Sequence, residues 1–200
     1  NTGCRKSEPF VVGQCETNLG LLTLKAVAKD TEALLVYSTQ NDAQVTTVHA
    51  SLLDATGRQK SVPLELLTTQ SALMWLDVID TASGPLVLYA SSRDEHAEIR
   101  AVGLTPAGTL RFADREVTRG LRAWQLAKSA DGAALAVVSE SETGRGGQVS
   151  LRLLDDQAAT VGKPIGLTTD ATAELDLDLS RVGKNYVLAW SDRKRVDSTV

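Results

Sequence analysis

The side chains best suited to chemistry are carboxylates at alternate positions of one short segment, Glu174-Leu175-Asp176-Leu177-Asp178-Leu179. On an extended strand this spacing places all three carboxylates on one face. Asp77 and Gln125 occupy comparable places earlier in the chain. Such a face could bind a cation or a polar ligand, and paired carboxylates could serve acid–base chemistry of the glycosidase type. The candidate ligand-binding residues are therefore Asp77, Gln125, Asp176 and Asp178; the alternative is a strand face that only contacts water.

The other reactive residue types predict no catalytic centre. His49 and His96 have no Cys or carboxylate around them at the spacing of zinc ligands. The sequence also contains no Gly-x-Ser-x-Gly nucleophile motif, no phosphate-binding glycine loop and no EF-hand calcium loop. We therefore expect no catalytic residue, no metal and no cofactor, and the sequence favours a protein that is not an enzyme.

The two cysteines, Cys4 and Cys15, lie close together in the sequence. One interpretation joins them in a disulfide across a short loop, which is typical of an oxidising compartment. A second interpretation leaves them as two unrelated thiols. In a third, Thr2-Gly3-Cys4 resembles the end of a bacterial lipoprotein signal, where the cysteine becomes lipidated. The first and third interpretations place the protein outside the cytoplasm.

Composition narrows the class of protein. The 200 residues are 42% hydrophobic and 23% charged, as in an ordinary folded domain. A net charge of -4 does not predict the basic surface that binds nucleic acid. Apolar runs such as 133–138 are far shorter than the roughly 20 residues of a membrane-spanning helix. We expect neither a nucleic-acid partner nor a transmembrane segment.

The strongest signal is an internal repeat. Four apolar segments end in Ser-rich polar residues, and their marker positions are 52, 49 and 52 residues apart: Tyr37, Tyr89, Val138 and Trp190. A second marker has spacings of 51 and 50 residues: Leu53, Leu104 and Leu154. A third matches 63–69 with 164–169, two periods later. Because three independent markers share one period, the chain consists of tandem units.

Each unit is expected to contain four β-strands. Apolar and polar residues alternate in short runs, which is the pattern of half-buried strands. In the second unit the strands are expected at 75–80, 86–90, 98–104 and 110–117. Turn residues separate the runs, as in Ala55-Thr56-Gly57-Arg58. No segment shows a sustained helical period with caps at both ends.

Tandem four-stranded antiparallel units predict a β-propeller, because one such sheet cannot cover its own apolar face and must pack on its neighbours. A β-sandwich is the alternative fold, but it gives no reason for the repeat. The expected organisation is an N-terminal segment at 1–18 with the last strand of a preceding or closing blade, blades at 19–69, 70–119 and 120–169, and a partial blade at 170–200. About three and a half blades would then belong to this chain, within a propeller that another chain or segment completes.

Two segments resemble the TolB-type propeller repeat. They are Ser91-Ser92-Arg93-Asp94-Glu95-His96-Ala97-Glu98-Ile99 and Lys128-Ser129-Ala130-Asp131-Gly132. In that repeat, Ser-Asp-Arg-Asp-Gly precedes a Glu-Ile strand, and Ser-Pro-Asp-Gly forms a turn. The resemblance implies blade packing and a bacterial envelope protein, and it implies no active site.

These observations favour a non-enzymatic extracytoplasmic propeller, in the periplasm, at the outer membrane or secreted, that binds a protein partner or a ligand. Two alternatives stay open. The first is a carbohydrate-binding or carbohydrate-active propeller that uses the carboxylates of the central channel. The second is a structural subunit that completes a propeller with another chain.

Overall fold

A computed structural model describes residues 20–29, 31–93, 96–128, 132–140, 147–168 and 177–191. All regular secondary structure among these residues is β-strand. The all-β prediction is therefore confirmed. The strands are β1 (Gly20–Lys29), β2 (Glu32–Gln40), β3 (Thr46–Leu53), β4 (Leu64–Thr69), β5 (Leu73–Thr81), β6 (Gly84–Arg93), β7 (His96–Leu104), β8 (Leu110–Lys128), β9 (Gly132–Glu140), β10 (Gly147–Asp155), β11 (Ile165–Gly166), β12 (Leu177–Val182) and β13 (Asn185–Trp190). Across these ranges, no helix is present that could cross a membrane.

All strand pairs are antiparallel and join neighbours in the chain. They form a four-stranded sheet (β1–β4), a seven-stranded sheet (β5–β11) and a two-stranded sheet (β12–β13). The four strands predicted for the second unit correspond to β5, β6, β7 and the first part of β8. The two copies of the third sequence marker also occupy equivalent positions in the fold, since β4 and β11 are each the last strand of their sheet.

The seven-stranded sheet is continuous because β8 is 19 residues long and changes partners along its length. Its first part pairs with β7, and from Leu121 onward it pairs with β9. Gly120, with φ +70, lies at the change of partner. We therefore describe four layers: layer 1 is β1–β4, layer 2 is β5–β7 with 110–119, layer 3 is 121–128 with β9–β11, and layer 4 is β12–β13.

One turn recurs in layers 1 to 3. In the first copy, the Asp54 side chain accepts hydrogen bonds from the backbone N–H groups of Thr56 (2.8 Å) and Arg58 (3.0 Å). In the third, Asp155 accepts from Gln157 and Ala159, both at 2.8 Å. In the second, Thr105 takes the equivalent place. The fourth residue of each turn has a positive φ, as this turn requires: Gly57, Gly108 and Ala158.

The layers are stacked face to face, and the middle strands are buried on both faces. In β6, Val87 and Tyr89 pack against layer 1, whereas Leu86 and Leu88 pack against layer 3. In β9, the odd-numbered residues 133–137 face layer 2 and the even-numbered residues 134–138 face layer 4. Each layer therefore covers an apolar face of the next one.

This alternation corrects the sequence alignment of the third unit. Tyr89 faces the preceding layer, but Val138 faces the following one, so Val137 is the true counterpart of Tyr89. Gly84 and Gly132 fix the register, since a Cβ at either position would lie within 2.5 Å of a backbone oxygen, that of Leu104 or Leu154.

The first strands of adjacent layers lie next to each other. β1 contacts β5, and the second part of β8 contacts β12. Between layers 2 and 3, the rings of Trp75 and Trp124 meet edge to face with their centroids 6.5 Å apart. These tryptophans occupy an interlayer position, and their packing brings the two first strands together.

Candidate functional site

A polar cleft lies between layers 1 and 2. One wall is the end of β4 and the loop that follows it; the other is the layer 2 face that carries charged residues of β7 and β8. The cavity has a volume of about 340 Å³ and is lined by Leu67, Thr68, Thr69, Ser71, Tyr89, Ser91, Glu98, Arg100 and Asp114. Its lining is polar apart from Leu67 and the Tyr89 ring, in contrast to the apolar packing around it. A cavity of this volume can hold a small ligand.

The sequence of β7 places two charges in this cleft. Along the strand, Ile99 and Ala101 face layer 3, so the alternate residues Glu98 and Arg100 face layer 1. The third charged residue, Asp114, lies on β8, which pairs with β7 through several bulges. The charged side chains are therefore held by paired strands.

Arg100 is the centre of a hydrogen-bonded network. Its Nε donates to Asp114 Oδ2 at 2.9 Å, and its Nη2 lies 2.9 Å from the same oxygen. Its Nη1 lies 3.5 Å from Glu98 Oε1. The Tyr89 hydroxyl donates to Asp114 Oδ1 at 2.5 Å. These charge-assisted bonds hold Arg100 and Asp114 in one geometry.

The network shifts two pKa values. Burial raises the pKa of the Tyr89 hydroxyl above its ordinary value, and the hydrogen bond to Asp114 adds to the increase. The hydrogen bond to Asp114 raises the pKa of Arg100. Tyr89 is thus a neutral donor and Arg100 a permanent cation at neutral pH.

Three groups of the cleft keep unused hydrogen-bonding capacity. Glu98 Oε1 accepts from Ser91 and faces Arg100, whereas Oε2 has no hydrogen-bond partner among the residues that the structure describes. Ser71 Oγ also makes no hydrogen bond within the described part of the chain. Thr69 Oγ1 accepts from the Ser71 backbone, so its proton stays available. The cleft therefore offers both an acceptor and donors.

The predicted first-strand residues lie elsewhere. Asp77, Gln125 and Asp178 occupy the same register position of layers 2, 3 and 4, opposite Leu88, Ala136 and Ala189 respectively. Asp77 is partly buried, and its Oδ1 accepts from the Val78 backbone at 2.9 Å; Asp178 is exposed. In layer 1 the corresponding residue is Lys25, opposite Val36. Polar residues thus recur at this position, with a cation in one copy.

Three predicted site residues, Asp176, Cys4 and Cys15, lie outside the described residues, as does the 1–18 segment. His49 lies in β3, where its ring stacks on Tyr37 at a centroid distance of 5.1 Å and its Nε2 is 3.3 Å from Thr39 Oγ1. Burial lowers its pKa. These contacts show that His49 packs within layer 1, on residues of the neighbouring strand β2.

The sequence did not predict the cleft. The signal that the sequence offered was the pair Glu98 and Arg100, two charged residues that are separated by one position in the otherwise apolar stretch 97–104. Asp114 could not have been added, because the bulges between β7 and β8 change which residues lie opposite each other.

Within the described ranges, no three His, Cys, Asp or Glu side chains form a group that could hold a metal ion. No protein-family model matches the chain, and no curated protein matches it.

Proposed function

We propose that this protein is a non-enzymatic β-propeller scaffold that binds a ligand or a protein partner outside the cytoplasm. The observation that carries the binding proposal is the cleft, a polar cavity with fixed charges between two apolar layers. Glu98 Oε2 has no hydrogen-bond partner among the described residues and is open to the cleft, where it can accept a hydrogen bond from a ligand. A bound ligand would satisfy that oxygen.

The packing of the layers supports the propeller. Their middle strands are buried on both faces, as blades between two neighbours would be. Their first strands lie next to each other, as innermost strands around an axis would. The resemblance to TolB-type repeats agrees with this arrangement.

A ligand screen tests the binding proposal. We expect some compound from a library of metabolites, oligosaccharides and peptides to raise the Tm of the native protein. The same compound should have no effect on Ser71→Trp, in which the indole fills the cavity. If every such compound acts equally on both proteins, the cleft is not the binding site. If the bound compound is chemically converted, the protein is an enzyme and the proposal is wrong.

A carbohydrate-active propeller is a second candidate, which the shared register of Asp77, Gln125 and Asp178 favours. In that case Asp77→Asn and Asp178→Asn would abolish glycan binding or hydrolysis. Under the scaffold proposal, both variants bind as the native protein does.

A structural subunit is a third candidate. On the face away from layer 3, layer 4 carries apolar side chains with large exposed fractions, at Val182 (62%) and Val187 (54%). Another chain that adds a layer would cover them. Native mass spectrometry decides: this candidate requires a stable complex with a second chain, and a stable monomer excludes it.

The extracytoplasmic location rests on Cys4 and Cys15 and is tested by their chemistry. If they form a disulfide, alkylation of the denatured protein without a reductant adds no label, and reduction makes both residues reactive. Two thiols that react fully without reduction would remove this support.

A further inference from the structure

We infer that the cleft binds a hydroxylated sugar ring that is neutral or carries an amine, and excludes sugar acids. This inference rests on the proposed binding function and names the class of ligand. It uses Glu98, Arg100 and Asp114, which lie apart from the first-strand carboxylates. The argument is the balance of charge and hydrogen-bonding groups in the cavity.

The charged groups of the cleft leave one negative charge in excess. Glu98 and Asp114 are two carboxylates, and Arg100 is the one cation among the residues that line the cavity. The Arg100 guanidinium already faces both carboxylates, so its positive charge is offset by theirs. A ligand carboxylate or phosphate would lie beside Glu98 and be repelled, whereas a neutral group or an ammonium would not.

The unused groups match a hydroxyl that both donates and accepts. Glu98 Oε2 accepts, while Ser71 Oγ and Thr69 Oγ1 can donate. A sugar hydroxyl can donate to the carboxylate and accept from a side-chain hydroxyl, and adjacent ring hydroxyls repeat this pattern. The mostly polar lining disfavours an apolar ligand, and a cavity of about 340 Å³ has room for one or two sugar rings.

The experiment uses glucose, glucosamine and glucuronic acid as probes, measured by saturation-transfer NMR and calorimetry on the full chain. We expect binding of glucose and glucosamine, and glucuronic acid at least about tenfold weaker. Glu98→Gln keeps the side-chain volume and removes the charge, so it should weaken glucosamine binding about tenfold or more. Circular dichroism and Tm show whether the variant folds.

The matched control is Glu116→Gln on β8, where the carboxylate is exposed and lies 3.6 Å from Arg119. It should leave sugar binding unchanged, as should Asp178→Asn. A folded Glu98→Gln with native affinity overturns the inference, and loss of binding in Asp178→Asn moves the site to the first strands.

The two proposals fail separately. Suppose that none of the three sugars binds, but another library compound raises the Tm of the native protein and not that of Ser71→Trp. The sugar inference is then wrong and the binding function stands. If no compound depends on the cleft, both are wrong.

Discussion

Tyr89 is almost fully buried, and its hydroxyl donates to Asp114, so its ionisation is linked to folding. Its pKa is raised in the folded protein, whereas the unfolded chain loses this proton near pH 10. The stabilisation is therefore complete below pH 10 and is lost as the pH rises through the folded-state pKa. We expect the free energy of unfolding to fall above pH 10 by up to about 1.4 kcal/mol per pH unit from this group.

Urea unfolding between pH 8 and pH 11 measures this dependence. The slope above pH 10 should be smaller in Tyr89→Phe than in the native protein and unchanged in the control Tyr186→Phe. Equal slopes in all three proteins would show that Tyr89 ionises as freely in the fold as in the unfolded chain.

Two glycines separate steric crowding from backbone strain. A Cβ at Gly132 would lie 2.1 Å from the Leu154 carbonyl oxygen, while Gly162 has open space around it but a φ of +73. Gly132→Ala should lower the free energy of unfolding by about 3 kcal/mol or prevent folding. Gly162→Ala should cost about 1 kcal/mol, because only the left-handed backbone opposes it. Urea denaturation measures both, and similar losses would contradict the close packing at Gly132.

At the scale of the element, truncating a side chain on either face of a strand that is buried on both faces should lower the free energy of unfolding. Leu88 faces layer 3 and Val87 faces layer 1, and both are fully buried. Leu88→Ala should cost about 2–5 kcal/mol and Val87→Ala about 1–3 kcal/mol of unfolding free energy. The control Val187→Ala, on the exposed side of β13, should change it by less than about 0.5 kcal/mol. Chemical denaturation checks all three, and a neutral Val87→Ala would mean that layer 1 does not cover β6.

The strands were predictable where local chemistry dictates them. Alternation and turn residues placed β5 to β7 correctly, and the Leu104 and Leu154 markers precede turns with the same hydrogen bonds. The continuous β8 was not predicted, because the expected boundary between the second and third units at 119/120 falls inside this strand, at Gly120 with its positive φ. The one-residue error at Val138 has a similar origin: apolar residues fill both faces of β9, so sequence alone cannot assign the faces.

For the whole molecule, the sequence predicted tandem units but not the cleft between two of them. The shared position of Asp77, Gln125 and Asp178 follows from the repeat, so sequence comparison could find it. The cleft instead joins β4 to a face of β7 and β8 in the next layer. Its charged residues are specific to layer 2, and a repeat pattern carries no information about a site that occurs once.

The proposed propeller makes a prediction about distances that is the reverse of the one a flat stack makes. Lys25 and Asp178 are exposed residues of the first strands of layers 1 and 4, whereas Glu65 and Ile165 are exposed residues of the last strands of layers 1 and 3. Sheets stacked flat about 10 Å apart would separate the first pair by ~30 Å and the second by ~20 Å. In a propeller the first strands surround the axis and the last strands lie at the rim, so the first pair must be closer although it spans more layers.

Electron–electron double resonance measures both distances after Cys4 and Cys15 are replaced by Ser. One spin-labelled protein carries Lys25→Cys with Asp178→Cys, and the other carries Glu65→Cys with Ile165→Cys. All four side chains are exposed, so the labels should leave the layers intact, and the Tm of each protein checks this. A shorter distance for the first pair supports layers that fan out from an axis. A longer one means a flat stack, and because flat layers enclose no central channel, the first-strand carboxylates would then lose the position on which a channel site depends.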